Sequence, residues 1–407
     1  MKLSEELHTR GFIHQFSSEN LEEILDGPKR TVYHGIDPTA GSAHAGNFVN
    51  RVLLRHFVDF GHKVIFLVGG GTGRIGDPKP DAERELVSPE VIDERVAKLQ
   101  AQAVKLLGTE DISFVNNNEW LSSLNLIDFL RDVGKHFTVN ELVKKDAISA
   151  RLSSEIGLSY TEFAYPILQA YDYLELHRRE GCDLQVGGSD QWGNIVAGVD
   201  LIRRLEQKTV YALTQPLIVD QSTGKKFGKS EGNAIWLDAE QTSPYHFYQF
   251  WLQTNDQDVI SFLKRFTFIS LQEIDKIEKE FQGNPGARLA QKKLAYAVTE
   301  FVHGPEQADL VSEVSSILFG DAAFTDINEK AKKLLLQNAP TTDVHVNTEV
   351  VEVLVTSGLA SSKREARTFI ESGAVSLNEE KITSVEATIS AESFTNGIAV
   401  LKRGKKN

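Results

Sequence analysis

The sequence contains a single cysteine, Cys182, and this scarcity excludes several kinds of site. One cysteine cannot form an intramolecular disulfide or a cysteine-based metal cluster. Because Cys182 stands between Gly181 and Asp183, ahead of an apolar run typical of a strand, we expect it to be a packing residue rather than a nucleophile. Sparse use of cysteine is typical of the reducing cytoplasm, which is the predicted location.

The sequence also lacks the long apolar runs of membrane proteins. No stretch approaches the roughly 18 uninterrupted apolar residues that a membrane-spanning helix needs. Residues 1–6 are polar and acidic, whereas a signal peptide begins with basic and then apolar residues. With 41% hydrophobic and 25% charged residues, the composition is typical of a soluble globular protein, and no membrane partner is expected.

There is no excess of positive charge that would attract nucleic acid in general. The formal net charge is −13. Residues 347–407 are neutral, with eight basic and eight acidic side chains, so the acidic excess lies in residues 1–346. Any contact with RNA is therefore expected to be local.

Short apolar runs alternate with amphipathic stretches over residues 30–215, a pattern typical of parallel strands crossed by helices. The run from Val64 to Val68 predicts a buried strand, and residues 47–60 predict an amphipathic helix that ends at Gly61. At 407 residues the chain is too long for one ordinary domain. We predict an α/β fold: a Rossmann-like, doubly wound parallel sheet over residues 1–217, a loop over 218–240, an all-α domain over 241–320, a linker around Pro340 over 321–346, and a small α+β domain over 347–407 with two helices and a strand hairpin.

Two polar segments are candidates for binding a nucleotide. His44 and Gly46 stand at the start of the predicted helix, where unpaired N–H groups and the positive end of the helix dipole suit a phosphate. Gly46 would allow close approach to the backbone, and His44 could donate a hydrogen bond. Lys226 and Lys229, in a glycine-containing loop, could neutralise charge on a departing pyrophosphate. Taken separately, each segment also fits an ordinary loop or a solvated turn.

A polar stripe lies between these two segments. Tyr165, Gln169 and Asp172 are spaced i, i+4 and i+7, so one helix would present all three on the same face. Pro166 is compatible with such a helix if the helix starts near Ala164. The stripe could line a pocket or face water, and the spacing does not decide between the two.

The string from Gln185 to Asn194, with two glycines before Asp-Gln-Trp-Gly-Asn, fits neither a core nor a surface segment and favours a pocket. Together with His44-Ala-Gly-Asn47 and the Lys226-Phe-Gly-Lys-Ser230 loop, it resembles the class I aminoacyl-tRNA synthetases, and among them the bacterial-type tyrosyl-tRNA synthetases. The likeness runs through residues 30–235. The family motif usually ends in a second histidine, and Asn47 at that position can donate a hydrogen bond but carries no charge.

The resemblance implies an enzyme that activates L-tyrosine with ATP and Mg²⁺ and transfers it to tRNA(Tyr). It also implies a homodimer with no protein metal site and no tightly bound organic cofactor. The role of His34 stays open. By resemblance, the phenol hydroxyl is assigned to Tyr33 and Asp172; the ammonium and carboxylate groups to Asp77, Tyr165, Gln169 and Gln191; ATP to Gly35, Asp37, His44, Gly46, Asn47, Gly188, Asp190, Lys226 and Lys229; and catalytic roles to Thr39, His44, Arg84, Lys226, Lys229 and Ser230.

The C-terminal segment contains a candidate RNA contact. Ser362 and Glu365 have the spacing of a capping box, so Lys363, Arg364 and Arg367 would fall in the first turns of one helix. The helix dipole favours acidic residues there, so basic ones indicate an anionic partner; an exposed face balanced by glutamates fits equally. The segment resembles the S4 RNA-binding domain, and the resemblance favours RNA.

Two rival functions stay open. A tryptophanyl-tRNA synthetase shares the fold, but the pairing of Asp172 with Tyr33 and the S4-like segment argue against it. A non-catalytic RNA-binding relative would keep the scaffold without the chemistry, and the presence of His44 with the two loop lysines argues against that reading.

Overall fold

The computed structural model of the protein describes the chain except for residues 80, 81, 83–86, 109–111, 156, 220–226, 228, 231, 232, 320–327, 379 and 405–407. At residues 146, 229, 230 and 233 it describes the backbone alone. The chain divides into two units, Met1–Ser243 with Gln253–Ala297, and Pro244–Leu252 with Val298–Asn407. In the described residues, no helix is both long and apolar enough to cross a membrane. The predicted domain boundaries stay a prediction.

A six-stranded sheet forms the centre of the first unit. Its strands are β1 (Gln15–Phe16), β2 (Thr31–Ile36), β3 (Lys63–Val68), β4 (Ile112–Asn116), β5 (Leu184–Gly188) and β6 (Tyr211–Gln215). Their order is β1-β6-β5-β2-β3-β4; strands β2 to β6 are parallel, and the short edge strand β1 is antiparallel. The strand order reverses between β2 and β5, and ligands of open α/β sheets bind at the carboxyl ends of strands beside such a reversal. The predicted doubly wound sheet is confirmed. A separate two-stranded ribbon consists of β7 (Lys229–Ser230) and β8 (Asn233–Ala234).

Eighteen α-helices lie before, between and after these strands in the described part of the chain. They are α1 (Leu3–Arg10), α2 (Leu21–Leu25), α3 (Ala45–Asp59), α4 (Pro89–Leu107), α5 (Asn118–Leu121), α6 (Leu126–Asp132), α7 (Val139–Leu142), α8 (Asp146–Leu152), α9 (Tyr160–Glu180), α10 (Trp192–Glu206), α11 (Pro244–Leu252), α12 (Val259–Phe266), α13 (Leu271–Gly283), α14 (Leu289–His303), α15 (Pro305–Phe319), α16 (Glu329–Asn338), α17 (Val350–Thr356) and α18 (Lys363–Glu371). The succession α11 to α15 confirms the predicted helical character of residues 241–320.

Helix α3 follows the first nucleotide motif and is close to its predicted bounds. It begins at Ala45, two residues early, because the side chain of His44 caps it by accepting the N–H of Gly46 at 3.0 Å. The chain turns away after the helix at Gly61, whose φ of +77° favours glycine.

Helix α9, which carries the polar stripe, is longer than predicted. It begins at Tyr160, where Ser159 caps it by accepting the N–H of Glu162 at 3.3 Å, so Pro166 lies inside the helix. The expected start near Ala164 is wrong. A proline in a helix removes one backbone hydrogen bond, but the helix is buried and Glu162 forms an ion pair with the buried Arg151 at 3.1 Å. Tertiary packing therefore overrides the local preference.

The second unit ends in a small α+β region. Helices α17 and α18 pack on a sheet of strand order β10-β9-β11, made of β9 (Val375–Leu377), β10 (Glu380–Lys381) and β11 (Leu401–Arg403). The predicted two helices and hairpin are confirmed. Helix α16 lies within the segment 321–346 that is predicted to be a linker. Asn328 caps that helix by accepting the N–H of Ala331 at 2.9 Å, and Ala331 and Leu335, one turn apart, are buried.

Candidate active site

A cavity of about 300 Å³ opens at the carboxyl ends of β2, β5 and β6, beside the reversal in strand order. Most of the site residues predicted from the sequence line it, although they come from segments far apart in the chain. These residues are Tyr33, Gly35, Asp37, Thr39, Gly46, Asn47, Asp77, Tyr165, Gln169, Asp172, Gly188, Asp190 and Gln191. The polar stripe of α9 therefore faces a pocket and not water.

The closed end of the cavity is built around the carboxylate of Asp172, which is 1% exposed. Its two oxygens accept hydrogen bonds from the indole N–H of Trp120 at 2.8 Å and from the amide of Asn117 at 2.9 Å. Burial raises the pKa of Asp172 to about 7, and the two hydrogen bonds oppose that rise. Tyr33, on β2, is equally buried, and burial followed by the charge of Asp172 raises the pKa of its phenol.

Sequence reasoning missed Trp120 and Asn117. Asn117 directly follows β4, and Trp120 lies in α5, the next element. A signal was present, because β4 is one of the parallel strands and the carboxyl ends of such strands carry the site in this kind of sheet. The run of polar asparagines from Asn116 to Asn118 after an apolar strand could have indicated it.

The middle of the cavity joins two residues that the sequence assigned to different halves of the site. The hydroxyl of Tyr165, predicted at the ammonium group, donates to Asp37, predicted at the nucleotide, at 2.9 Å. Thr72 donates to the other oxygen of Asp37 at 2.7 Å. Asp37 therefore lies where the two halves of the site meet.

A second carboxylate, Asp77, is held by amide groups. Gln191 donates to it at 2.9 Å, and Asn194 donates to it at 3.3 Å. The amide of Asn194 also bonds to the carbonyl oxygen of Gln169 at 3.1 Å. An anionic carboxylate surrounded by amide groups suits an ammonium ion, and Asn194 is a further site residue to which the sequence assigned no role.

At the nucleotide end, the start of α3 contacts the segment that follows the lysine loop. Ala45 N–H donates to the carbonyl of Ile235 at 2.7 Å, and the rings of His44 and Trp236 are 6.2 Å apart. A Cβ atom at Gly46 would lie 2.5 Å from the carbonyl oxygen of Phe227, so only glycine fits there. The two nucleotide motifs, distant in sequence, are therefore adjacent in space.

Some of the predicted site cannot be located in the same way. Lys226 and Arg84 lie outside the described residues, as do the side chains of Lys229 and Ser230. Within the residues that are described, no group of three or more His, Cys, Asp or Glu side chains could hold a metal ion.

The predicted RNA-contact residues lie together on the surface of the second unit. Lys363, Arg364 and Arg367 are exposed in the first turns of α18. Half of the predicted capping box forms, since Ser362 accepts the N–H of Glu365 at 3.2 Å. The other half is wrong by one residue: the Glu365 carboxylate accepts the N–H of Ser361, at 2.6 Å, where Ser362 was expected. The hydroxyl of Ser361 also donates to this oxygen, which favours the shift.

Comparison with known proteins agrees with this geometry. Residues 26–320 match the family model described as tRNA synthetases class I (W and Y), and residues 331–407 match that of the tyrosine–tRNA ligase SYY-like C-terminal domain. The tyrosine–tRNA ligase of Leuconostoc citreum (strain KM20) is 46% identical over 100% of this chain and 98% of its own length. That of Leifsonia xyli subsp. xyli (strain CTCB07) is 46% identical over 99% of this chain and 92% of its own length.

Solved structures share the fold over 76% of the chain. A C-terminally truncated mitochondrial tyrosyl-tRNA synthetase from Aspergillus nidulans superposes with a TM-score of 0.69 at 32% identity, covering 76% of this chain and 92% of that one. A tryptophanyl-tRNA synthetase from Encephalitozoon cuniculi, bound to tryptophan, has a TM-score of 0.58 at 17% identity, covering 76% and 89%. The second likeness reflects the shared fold alone.

Proposed function

This chain belongs to the tyrosine and tryptophan group of class I tRNA synthetases, and from that premise we propose that it is a tyrosine–tRNA ligase, which activates L-tyrosine with ATP and transfers it to tRNA(Tyr). The observation that carries the choice of amino acid is the buried pair of Asp172 and Tyr33 at the closed end of the cavity. A phenol hydroxyl can donate to the carboxylate and accept from Tyr33. Phenylalanine would offer the Tyr33 hydroxyl no acceptor and would leave the remaining acceptor capacity of Asp172 unused in a buried site, which is costly.

The remaining polar groups fit the other parts of tyrosine. Asp77, with Gln169 and Tyr165 beside it, would hold the ammonium group, and Gln191 would direct the carboxylate toward the nucleotide. That carboxylate is already ionised, so no general base is needed. Its oxygen attacks the α-phosphorus of ATP, the bond to pyrophosphate breaks, and tyrosyl-adenylate forms. A terminal ribose hydroxyl of tRNA then attacks the carbonyl carbon, and AMP leaves.

The nucleotide half would stabilise charge that builds up on the pyrophosphate. Since Nδ1 of His44 accepts the N–H of Gly46, a neutral His44 carries its proton on Nε2, where it can donate to a phosphate oxygen. Thr39 and the lysines of the 218–240 loop would add donors and positive charge. Mg²⁺ would arrive with ATP, because magnesium is usually held through phosphates and water rather than by a cage of protein ligands.

The decisive test is tyrosine-dependent ATP–pyrophosphate exchange. We expect exchange with L-tyrosine and none above background with phenylalanine or tryptophan. Exchange that prefers tryptophan would reject the choice of tyrosine, and no exchange with any of the three would reject the enzyme. Lys229→Ala should lower the exchange rate far more than tyrosine affinity, since its charge serves the transition state. The matched control is Lys279→Ala, an exposed lysine of α13, which should change neither.

The homodimer belongs to the proposal, and exposed apolar side chains on neighbouring elements of the sequence support it. Large apolar side chains that are more than half exposed recur on α6 to α9: Leu126, Ile127, Val139, Leu152 and Tyr160. A two-fold contact between copies of this chain would bury such side chains on both partners. We expect Ile127→Asp to shift sedimentation from dimer to monomer, with Val91→Asp on α4 as the control. A dimer that survives Ile127→Asp would place the contact elsewhere.

The tRNA contact is proposed for the exposed basic side chains of α18. Replacing Lys363, Arg364 and Arg367 with glutamine should weaken tRNA binding and reduce its salt dependence, because fewer phosphates would be neutralised. Pyrophosphate exchange should be unchanged. A loss of exchange in this variant would show a wider disturbance. Because tRNA charging serves protein synthesis, we propose that the protein acts in the cytoplasm.

A further inference from the structure

A buried arginine without a carboxylate partner lies behind the nucleotide half of the cavity. Arg51, one turn after Asn47 on α3, is 1% exposed. Its guanidinium carbon is 5.2 Å from the centre of the Phe66 ring, and its Nη1 donates to the backbone carbonyl of Asn47 at 3.2 Å. Its Nε is buried with no hydrogen-bond partner, and among the described residues no Asp or Glu pairs with it.

The charge of Arg51 acts on the cavity. The helix that carries it contributes Gly46, Asn47 and Asn50 to the cavity wall. His34, from β2, also lines the cavity, and its ring lies 6.2 Å from the same Phe66 ring that Arg51 covers. Burial, and then the positive charge of Arg51, lower the pKa of His34 to about 4. Arg51 is therefore close enough to influence a group that a bound ligand would meet.

The described lining of the cavity is acidic, and a polyphosphate there would need positive charge from beyond it. The charged side chains that line it, within the described part of the chain, are Asp37, Asp77, Asp172 and Asp190, and no Lys or Arg is among them. Such a lining suits an ammonium group but repels a polyphosphate. A buried cation without a partner is costly to a fold, so its retention beside an acidic cavity indicates that an anion compensates it.

We propose that Arg51 is an electrostatic positioning residue, which supplies a fixed positive charge through the wall of the cavity to the polyphosphate of ATP. The inference rests on the proposed ATP-dependent function. The apolar surroundings of the guanidinium, with Phe66 on one face, transmit its field into the cavity with little screening. Arg51 need not touch the nucleotide to act, and so a charge-preserving replacement should keep most of the effect.

The test compares three variants by pyrophosphate exchange, tyrosine binding and thermal unfolding. Arg51→Met keeps the length and removes the charge, and it should raise the KM for ATP about tenfold, the effect of one charge acting over roughly 10 Å at an effective dielectric near 20. Tyrosine affinity should stay within about twofold, and Tm should be unchanged or higher because a costly buried charge is gone. Arg51→Lys should keep the KM for ATP within about threefold.

Arg55→Met is the matched control, since Arg55 is one turn further along the same helix and forms an exposed pair with Asp59 at 2.8 Å. Arg55→Met should change neither the KM for ATP nor the affinity for tyrosine. The rise in KM for Arg51→Met should persist at high salt, since buried charge is poorly screened.

Three results would overturn the proposal. An unchanged KM for ATP in Arg51→Met, or, where that variant does not fold, a KM for ATP raised about tenfold in Arg51→Lys, would make Arg51 a structural residue. An equal loss of tyrosine affinity would indicate a general disturbance of the cavity. An equal rise in the KM for ATP in Arg51→Lys and Arg51→Met would show that the charge of residue 51 is not what lowers the KM. If the wild-type protein shows no exchange, the proposed function fails instead, and equilibrium dialysis of ATP with the same variants still decides the role of Arg51.

Discussion

The hydrogen bond from Trp120 to Asp172 should control how tyrosine binding depends on pH. The indole N–H donates to the carboxylate at 2.8 Å, and both side chains are buried. Burial raises the pKa of Asp172 to about 7, against the opposing effect of the bonds from Asn117 and Trp120. Replacing Trp120 with Phe keeps an aromatic ring but removes the donor. The ionised carboxylate loses a partner, so the pKa of Asp172 should rise further.

The size of this rise follows from the strength of the bond. A hydrogen bond to a charged group contributes about 1.5–3 kcal/mol, and one pKa unit corresponds to about 1.4 kcal/mol, so we expect a rise of about one to two units. Tyrosine donates its hydroxyl to the ionised form of Asp172, and its affinity should therefore increase with pH through this pKa. At pH 7 the variant should bind tyrosine about tenfold more weakly than the wild type, and near pH 8.5 the difference should shrink to about twofold.

The measurement is tyrosine binding by equilibrium dialysis between pH 6 and pH 8.5. The control is Trp251→Phe, which removes an indole equally buried in the second unit and should not change the pH profile. A loss of affinity in Trp120→Phe that is the same at every pH would mean that the indole acts by packing. No loss at pH 7 would mean that Asp172 does not receive the tyrosine hydroxyl.

Three further predictions concern stability and reactivity. The pKa of Asp172 is raised from 3.8 to about 7, so the stability that its protonated form contributes is complete below about pH 4 and is lost as pH rises through 7. The Tm of Asp172→Asn should therefore rise relative to the Tm of the wild type between pH 5 and pH 8. A difference in Tm that stays constant over this range would contradict the expectation. Arg151→Met should remove the buried ion pair with Glu162 and lower the free energy of unfolding in urea by about 3–5 kcal/mol, whereas Arg203→Met, in an exposed pair, should change it by less than about 1 kcal/mol. Burial raises the pKa of the Cys182 thiol well above its usual value, so a thiol reagent should label it only after denaturation; labelling of the native protein would contradict its burial.

The fold could be predicted because its signals are local. The continuous apolar run from Val64 to Val68 predicts a buried strand, and the helical spacing of apolar residues before it predicts an amphipathic helix. Both elements form close to their predicted bounds. The site could be predicted where its residues share one helix, as Tyr165, Gln169 and Asp172 do. The start of that helix could not be predicted in the same way. The local preference of Pro166 indicates a start near Ala164, but burial of the helix outweighs that preference and the helix begins at Tyr160.

Contacts between residues far apart in the sequence could not be predicted. Trp120 bonds to Asp172 across 52 positions of sequence, and Tyr165 bonds to Asp37 across 128. No periodicity connects such pairs, because they meet only when the fold brings α9 against the segments that follow β2 and β4. Motif spacing could assign Tyr165 and Asp37 to a site, but it could not reveal that they touch each other.

These contacts connect the two ends of the tyrosine site through one amide. The two hydrogens of the Asn117 amide donate to Thr72 and Asp172, each at 2.9 Å, and its oxygen accepts the N–H of Gly71 at 2.8 Å. Because the Thr72 oxygen accepts from Asn117, its hydroxyl is directed to donate to Asp37, which also receives Tyr165. The orientation of every donor in this series is thus determined by its neighbour. A change at Asn117 should therefore affect both the carboxylate that selects the phenol and the carboxylate at the junction with the nucleotide, although Asp172 lies on α9 and Asp37 follows β2.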